Sequence, residues 1–105
     1  MARKSVIKGK VFEREVAATF RKLYPDARRG IVQARAGNEA PDVDGTPFWV
    51  ECKIGHRVTI QAALTQAVEA TDGRPPLAVC KVDRQPATVT LRLPDFINLL
   101  SKDGN

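Results

Sequence analysis

Histidine is nearly missing from this chain of 105 residues: His56 stands alone, so neither a histidine-rich metal centre nor a Ser/His/Asp or Cys/His catalytic arrangement is visible. Cysteine is almost as scarce. Cys52 and Cys80 lie in apolar, strand-like runs with no CxxC pair or neighbouring histidine, which favours buried reduced thiols in an intracellular protein over a disulfide or a zinc site. Aromatic residues make up 6% of the chain and are dispersed, leaving no platform on which single-stranded bases would stack. No apolar run approaches a membrane span, and Met1-Ala2-Arg3-Lys4 lacks the hydrophobic stretch of a signal peptide, so a cytoplasmic location without membrane partners is expected. Repeats, low-complexity tracts and linkers are also missing. Residues 1–105 therefore read as one domain, with a basic N-terminal arm over 1–8 and a frayed tail over 101–105.

What is abundant is positive charge. Seventeen Lys and Arg against twelve Asp and Glu give a net charge of +5, which favours a polyanionic partner. With 43% apolar residues, a domain of this size buries roughly two thirds of its unfolded surface. That is enough for one sheet and two or three helices.

Residues 9–24 have the period of an amphipathic helix, with Phe12, Val16, Phe20 and Leu23 on the apolar stripe. Glu13 falls at the edge of that stripe and can look into a cleft beside the core, whereas Glu15 faces water. A strand is expected over Gly30–Ala36, then a hairpin formed by a short strand near Pro41–Asp44 and a strongly β-prone one over Phe48–Ile54. Thr59 is a plausible N-cap for a second helix carrying Ile60, Ala63, Leu64, Ala67 and Val68 on one face, which Asp72-Gly73 stops. Strands over Pro76–Val82 and Ala87–Leu93 follow. A last helix opens at Leu93-Pro94-Asp95-Phe96 and ends near Leu100. The order is αβββαββα, an α/β (α+β) domain.

The chemistry concentrates in Pro41-Asp42 and Glu51-Cys52-Lys53. Strand alternation sets Glu51 and Lys53 on one face with Trp49, and Cys52 on the other with Phe48, Val50 and Ile54. For Asp42 to lie opposite Glu51, the loop must span about Gly45–Phe48. A tight Asp44-Gly45 turn would move Glu51 about four residues along, roughly 13 Å away. The alternative is an exposed hairpin on which Asp42, Glu51 and Lys53 are a solvated charged face.

With these residues in view the chain resembles the PD-(D/E)xK nuclease superfamily, and the segment from Lys8 to Glu15 resembles the first helix of the archaeal and phage Holliday junction resolvases. Here the spacing from Asp42 to Glu51 is shorter than in the archaeal enzymes, and Asn38 is the nearest polar group where those carry a serine. The resemblance implies a restriction-endonuclease-like fold with a central mixed sheet flanked by helices, in a prokaryotic or phage-infected host cell. It also implies a Mg²⁺ site, with Mn²⁺ as a substitute. Its ligands would be Asp42, Glu51 and the Cys52 backbone carbonyl, with Glu13 binding directly or through water. Lys53 would orient the attacking water, and Gln66 resembles a glutamine placed beside that water in some branches of the superfamily. An ordinary surface role for Gln66 stays open, and Gln61 is a weaker candidate.

The activity implied is hydrolysis of DNA phosphodiesters to 5′-phosphate and 3′-hydroxyl ends by a structure-selective endonuclease of the resolvase type. Branched or duplex DNA is the expected partner, with a homodimer supplying two incisions and no nucleotide cofactor. Other nucleases of the superfamily, of the VRR-type flap or repair kind or restriction-like, and a non-catalytic DNA-binding module are the alternatives. Lys8, Lys10, Arg14 and Arg35 are the expected phosphate contacts. His56 reads as structural or incidental.

Overall fold

The computed structural model describes residues 2–31 and 39–103. Among the described residues, eight elements run in the order α1 (Ala2–Phe20), β1 (Arg28–Arg29), β2 (Val43–Asp44), β3 (Trp49–Gly55), α2 (Ile60–Ala70), β4 (Pro76–Val82), β5 (Thr88–Thr90) and α3 (Leu93–Asp103). Together they make an α+β domain around one mixed five-stranded sheet in which spatial order follows chain order. Only β3 and β4 pair in parallel, joined across α2, and the remaining neighbours are antiparallel.

The parallel pair lies at the centre of the sheet and is covered on both sides. That accounts for four consecutive buried residues in β3 (Trp49, Val50, Glu51, Cys52) and five in β4. On one face Val43, Val50, Cys52, Leu77 and Val79 pack against Phe12, Val16 and Ala17 of α1. On the other, Ala78 and Cys80 meet Ala63 and Leu64 of α2. Cys52 thus points into the α1 layer, as its place in the alternation required.

The β2–β3 connection sets the geometry of everything that follows. Val43 lies opposite Val50, and the Asp42 amide donates to the carbonyl of that same Val50 at 2.8 Å, out of step with the ladder, so regular pairing ends at Val43 while the Asp42 and Glu51 carboxyl groups still meet. The four residues Gly45 to Phe48 between the strands form the longer turn that this pairing needs. Gly45 takes φ +80°, and a Cβ there would overlap the Asp26 carbonyl. Thr46 ties the turn to itself: its hydroxyl donates to the Phe48 carbonyl at 3.1 Å and accepts from the Phe48 amide at 3.0 Å.

Several boundaries differ from the sequence expectation. α1 begins at Ala2, seven residues before the expected start, so residues 2–8 are helical. The residues before Gly9 favour helix, and a single glycine costs only about 1 kcal/mol. The helix also stops at Phe20, leaving Leu23 outside the core at 77% exposure. β5 is shorter than expected, and α3 continues to Asp103. Thr59 occupies the N-cap of α2 without a side-chain capping hydrogen bond. The first strand is found at Arg28–Arg29. Arg35, Asn38 and most of the strand expected over Gly30–Ala36 lie outside the described residues.

Candidate active site

Four elements converge on a cleft of about 390 Å³ whose walls include Lys10 and Glu13 of α1, Arg29 of β1, Asp42 before β2, Cys52 and Lys53 of β3, and Gln66 of α2. Asp42 is fixed by its backbone on both sides. Its amide donates to the Val50 carbonyl at 2.8 Å, and its carbonyl accepts from the Gly30 amide at 2.9 Å. The Asp42 side chain is fixed as well, with Oδ2 accepting the Cys52 amide at 2.8 Å.

Glu51 lies beneath the cleft rather than in its wall, 6% exposed, and accepts the indole N–H of Trp49 at 3.3 Å. Burial, the charge of Asp42 and a hydrogen bond shared with it push the Glu51 carboxyl up to about 8, against weaker opposing effects of Trp49 and Lys53. Burial first and then Asp42 also raise Glu13, although Arg29 donates to it from Nε at 2.9 Å and Lys10 lies near. Asp42 therefore loads both of its neighbours, Glu13 and Glu51, with negative charge. The Cys52 thiol is pushed far up by burial and by the same carboxylates, so it is no nucleophile.

Of the residues singled out in the sequence, Glu13, Asp42, Lys53 and Gln66 border this one cleft, with Glu51 behind Asp42. Gln66 is exposed, and Gln61 is not part of the wall. Lys10 borders the cleft, and Arg14 is exposed one turn further along α1. Lys8 is bound elsewhere. Its ammonium meets Asp83 of the β4–β5 turn at 3.1 Å, and His56, from the connection after β3, meets the same carboxylate at 3.3 Å.

Two arginines that shape the site escaped the sequence reading. In the sequence Arg29 is one of many scattered basic residues, yet it pairs with Glu13 inside the cleft. Arg74 clamps the β2–β3 turn: it donates to Asp44 Oδ1 at 3.0 Å, to the Thr46 carbonyl at 3.2 Å and to both oxygens of Asp72 at 3.0 Å, and it lies 5.4 Å from the centre of the Trp49 ring. Desolvation of Asp44 is outweighed by hydrogen bonds from the Gly45 amide and Arg74, and its carboxyl is lowered. The signal for Arg74 is its place in the Asp72-Gly73-Arg74-Pro75 turn, where a planar donor fork can bridge two carboxylates.

Among the described residues no three His, Cys, Asp or Glu side chains stand close enough to hold an ion as they are. The donor set nevertheless fits a hard cation in kind: mutually repelling carboxylates, no imidazole or available thiolate, and open cleft beside them for water. A larger cleft of about 450 Å³ near Tyr24, Phe48 and Leu99 is mainly apolar, and its Asp95 pairs with Arg92 at 2.9 Å. Compared with known proteins, the chain matches no family model, no curated protein and no solved structure. The chemistry of the cleft is therefore read from its own residues.

Proposed function

We propose that this chain is a Mg²⁺-dependent DNA endonuclease of the PD-(D/E)xK type with a restriction-endonuclease-like fold, acting on branched DNA as a Holliday junction resolvase. The observation that carries the reading is the contact of the Asp42 and Glu51 carboxyl groups at the β2–β3 hairpin, with Lys53 and Glu13 at the same cleft. The element order αβββαββα supports it.

In this reading Asp42, Glu51, the Cys52 carbonyl and Glu13 hold the cation. A Mg²⁺ or Mn²⁺ ion held by them would supply activation of a water and would offset charge on the phosphate. The Glu51 carboxyl must release its proton before both acidic side chains can serve as donors, so cation affinity rises with pH. Lys53 stabilises the charge that develops on the scissile phosphate and orients the attacking water, and Gln66 reaches that water from α2. Lys10 and Arg14 contact the backbone of the duplex arms. Two chains acting as a homodimer supply the two incisions that a junction requires.

The engaged state of Asp42 and Glu13 gives one reading of another class some support, that of a non-catalytic DNA-binding module. A labelled four-way junction incubated with Mg²⁺ and either wild type or Asp42→Asn separates the two. Cleavage by wild type and none by the variant supports the enzyme, whereas binding without cleavage by both supports the module. Flap, nicked and linear substrates separate a resolvase from a VRR-type repair or restriction-like nuclease. Sedimentation of the chain alone and with junction DNA tests the dimer.

A further inference from the structure

Arg28 and Arg29 are adjacent in the chain but go to opposite sides of the sheet, as successive residues of a strand do. Arg28 turns outward, its side chain 62% exposed and donating to the Asp26 carbonyl at 3.0 Å. Arg29 turns into the cleft, 31% exposed, with Nε 2.9 Å from Glu13 Oε1. Its position is tightly set. The Gly30 amide binds the Asp42 carbonyl at 2.9 Å, and the approach is so close that a Cβ on Gly30 would overlap the Pro41 carbonyl.

Arg29 is thus anchored beside two of the carboxylates expected to take the cation, in the cleft that also contains Lys53 and Gln66. A guanidinium and a divalent cation compete for the same Glu13 oxygen, because each neutralises it at contact distance. The loser of that competition is a planar donor fork, still tethered to β1 and shaped to match a phosphate. Resting on the nuclease reading above, we infer that Arg29 is an exchangeable counter-ion: it holds Glu13 while the cleft contains no divalent cation, and transfers to a non-bridging oxygen of the bound phosphodiester once a cation takes Glu13 over.

A purely orienting role for Arg29 predicts the opposite sign in one measurement. If the guanidinium only kept Glu13 in place, its removal would loosen a ligand and weaken cation binding. If it competes with the cation, its removal strengthens binding.

The test is a calorimetric titration of Mn²⁺ into the full chain without DNA, for wild type, Arg29→Gln, Arg29→Lys and Asp42→Asn, followed by cleavage kinetics on a four-way junction. Arg29→Gln, which keeps part of the aliphatic stem, is expected to bind Mn²⁺ about fivefold tighter, close to 1 kcal/mol. Its kcat on the junction is expected to fall about a hundredfold. Arg29→Lys keeps the charge without the fork, so Mn²⁺ affinity within about twofold of wild type and a kcat lower by about tenfold are expected.

Unchanged or weaker Mn²⁺ binding by a folded Arg29→Gln overturns the exchange alone. Should that variant fail to fold, wild-type kcat in Arg29→Lys overturns it instead. A wild type that binds no Mn²⁺, or binds it equally well after Asp42→Asn, overturns the exchange together with the nuclease reading.

Discussion

The amide of Cys52 donates to Oδ2 of Asp42 at 2.8 Å, so the same carboxylate closes the hairpin and forms part of the cleft wall. Its two roles separate by substitution. Asp42→Asn keeps an oxygen for the Cys52 amide and is expected to remain within about 1 kcal/mol of wild-type stability while losing at least about a hundredfold in cleavage. Asp42→Ala is expected to lose both activity and about 1–3 kcal/mol, because a backbone donor is left without its acceptor. Urea denaturation beside a junction-cleavage assay distinguishes these outcomes, and equal stability of the two variants would contradict the hydrogen bond's role.

Glu51 makes stability depend on pH in an unusual direction. A carboxyl raised from 4.5 to about 8 binds its proton more tightly in the folded chain, so folding is favoured while it stays protonated and stability declines as the pH climbs through that window. Glu13, also raised, adds to the decline, whereas the lowered Asp44 contributes stability that is lost only as the pH falls through the range below 3.8. Urea midpoints at about pH 5 and about pH 8 should fall with rising pH in wild type and much less in Glu51→Gln. Millimolar Mg²⁺ should restore stability at the higher pH in wild type but not in the variant. A wild-type midpoint that rises across the window would refute the shift.

Arg74 holds the turn on which the register depends. Arg74→Ala removes its hydrogen bonds to Asp44, Asp72 and Thr46 and its contact with the Trp49 ring, and is expected to cost about 2–3 kcal/mol. Arg74→Lys should recover less than half of that, since an ammonium cannot reproduce the fork. Near-UV circular dichroism of Trp49 reports the loss independently of activity.

Two glycines predict opposite signs. A Cβ on Gly9 meets nothing, so Gly9→Ala is expected to stabilise α1 by about 0.5–1 kcal/mol. Gly45→Ala must accept φ +80° and a clash with the Asp26 carbonyl, and is expected to destabilise by more than about 2 kcal/mol. Thermal melts of the two variants suffice to check this.

Local patterns carried the hairpin. The requirement that Asp42 face Glu51 places the loop at about Gly45 to Phe48, where the strands leave it, although the Asp42 amide bonds to Val50 out of step with the ladder, and the alternation in β3 sends the Cys52 side chain into the core. Contacts between distant segments were not legible. Nothing in the chain announces that Lys8 will meet Asp83, 75 residues away, or that Arg29 and not its neighbour will turn toward Glu13. Each depends on where a strand docks. The start of α1 was missed because Gly9 reads as a boundary, although a helix with a packed face tolerates one glycine. The exposure of Leu23 has a related cause: its apolar period outlasts the helix.

The placement of Cys52 gives the cleft a reporter of its own opening. Its thiol is buried among Phe12, Val16 and Val79 while its amide is bonded to Asp42, so an alkylating reagent reaches the sulfur only when the β2–β3 layer separates from α1. With Cys80→Ser removing the second buried thiol, the labelling rate becomes a clock for that separation. Cation binding should slow the clock, and it can be read without any nucleic acid.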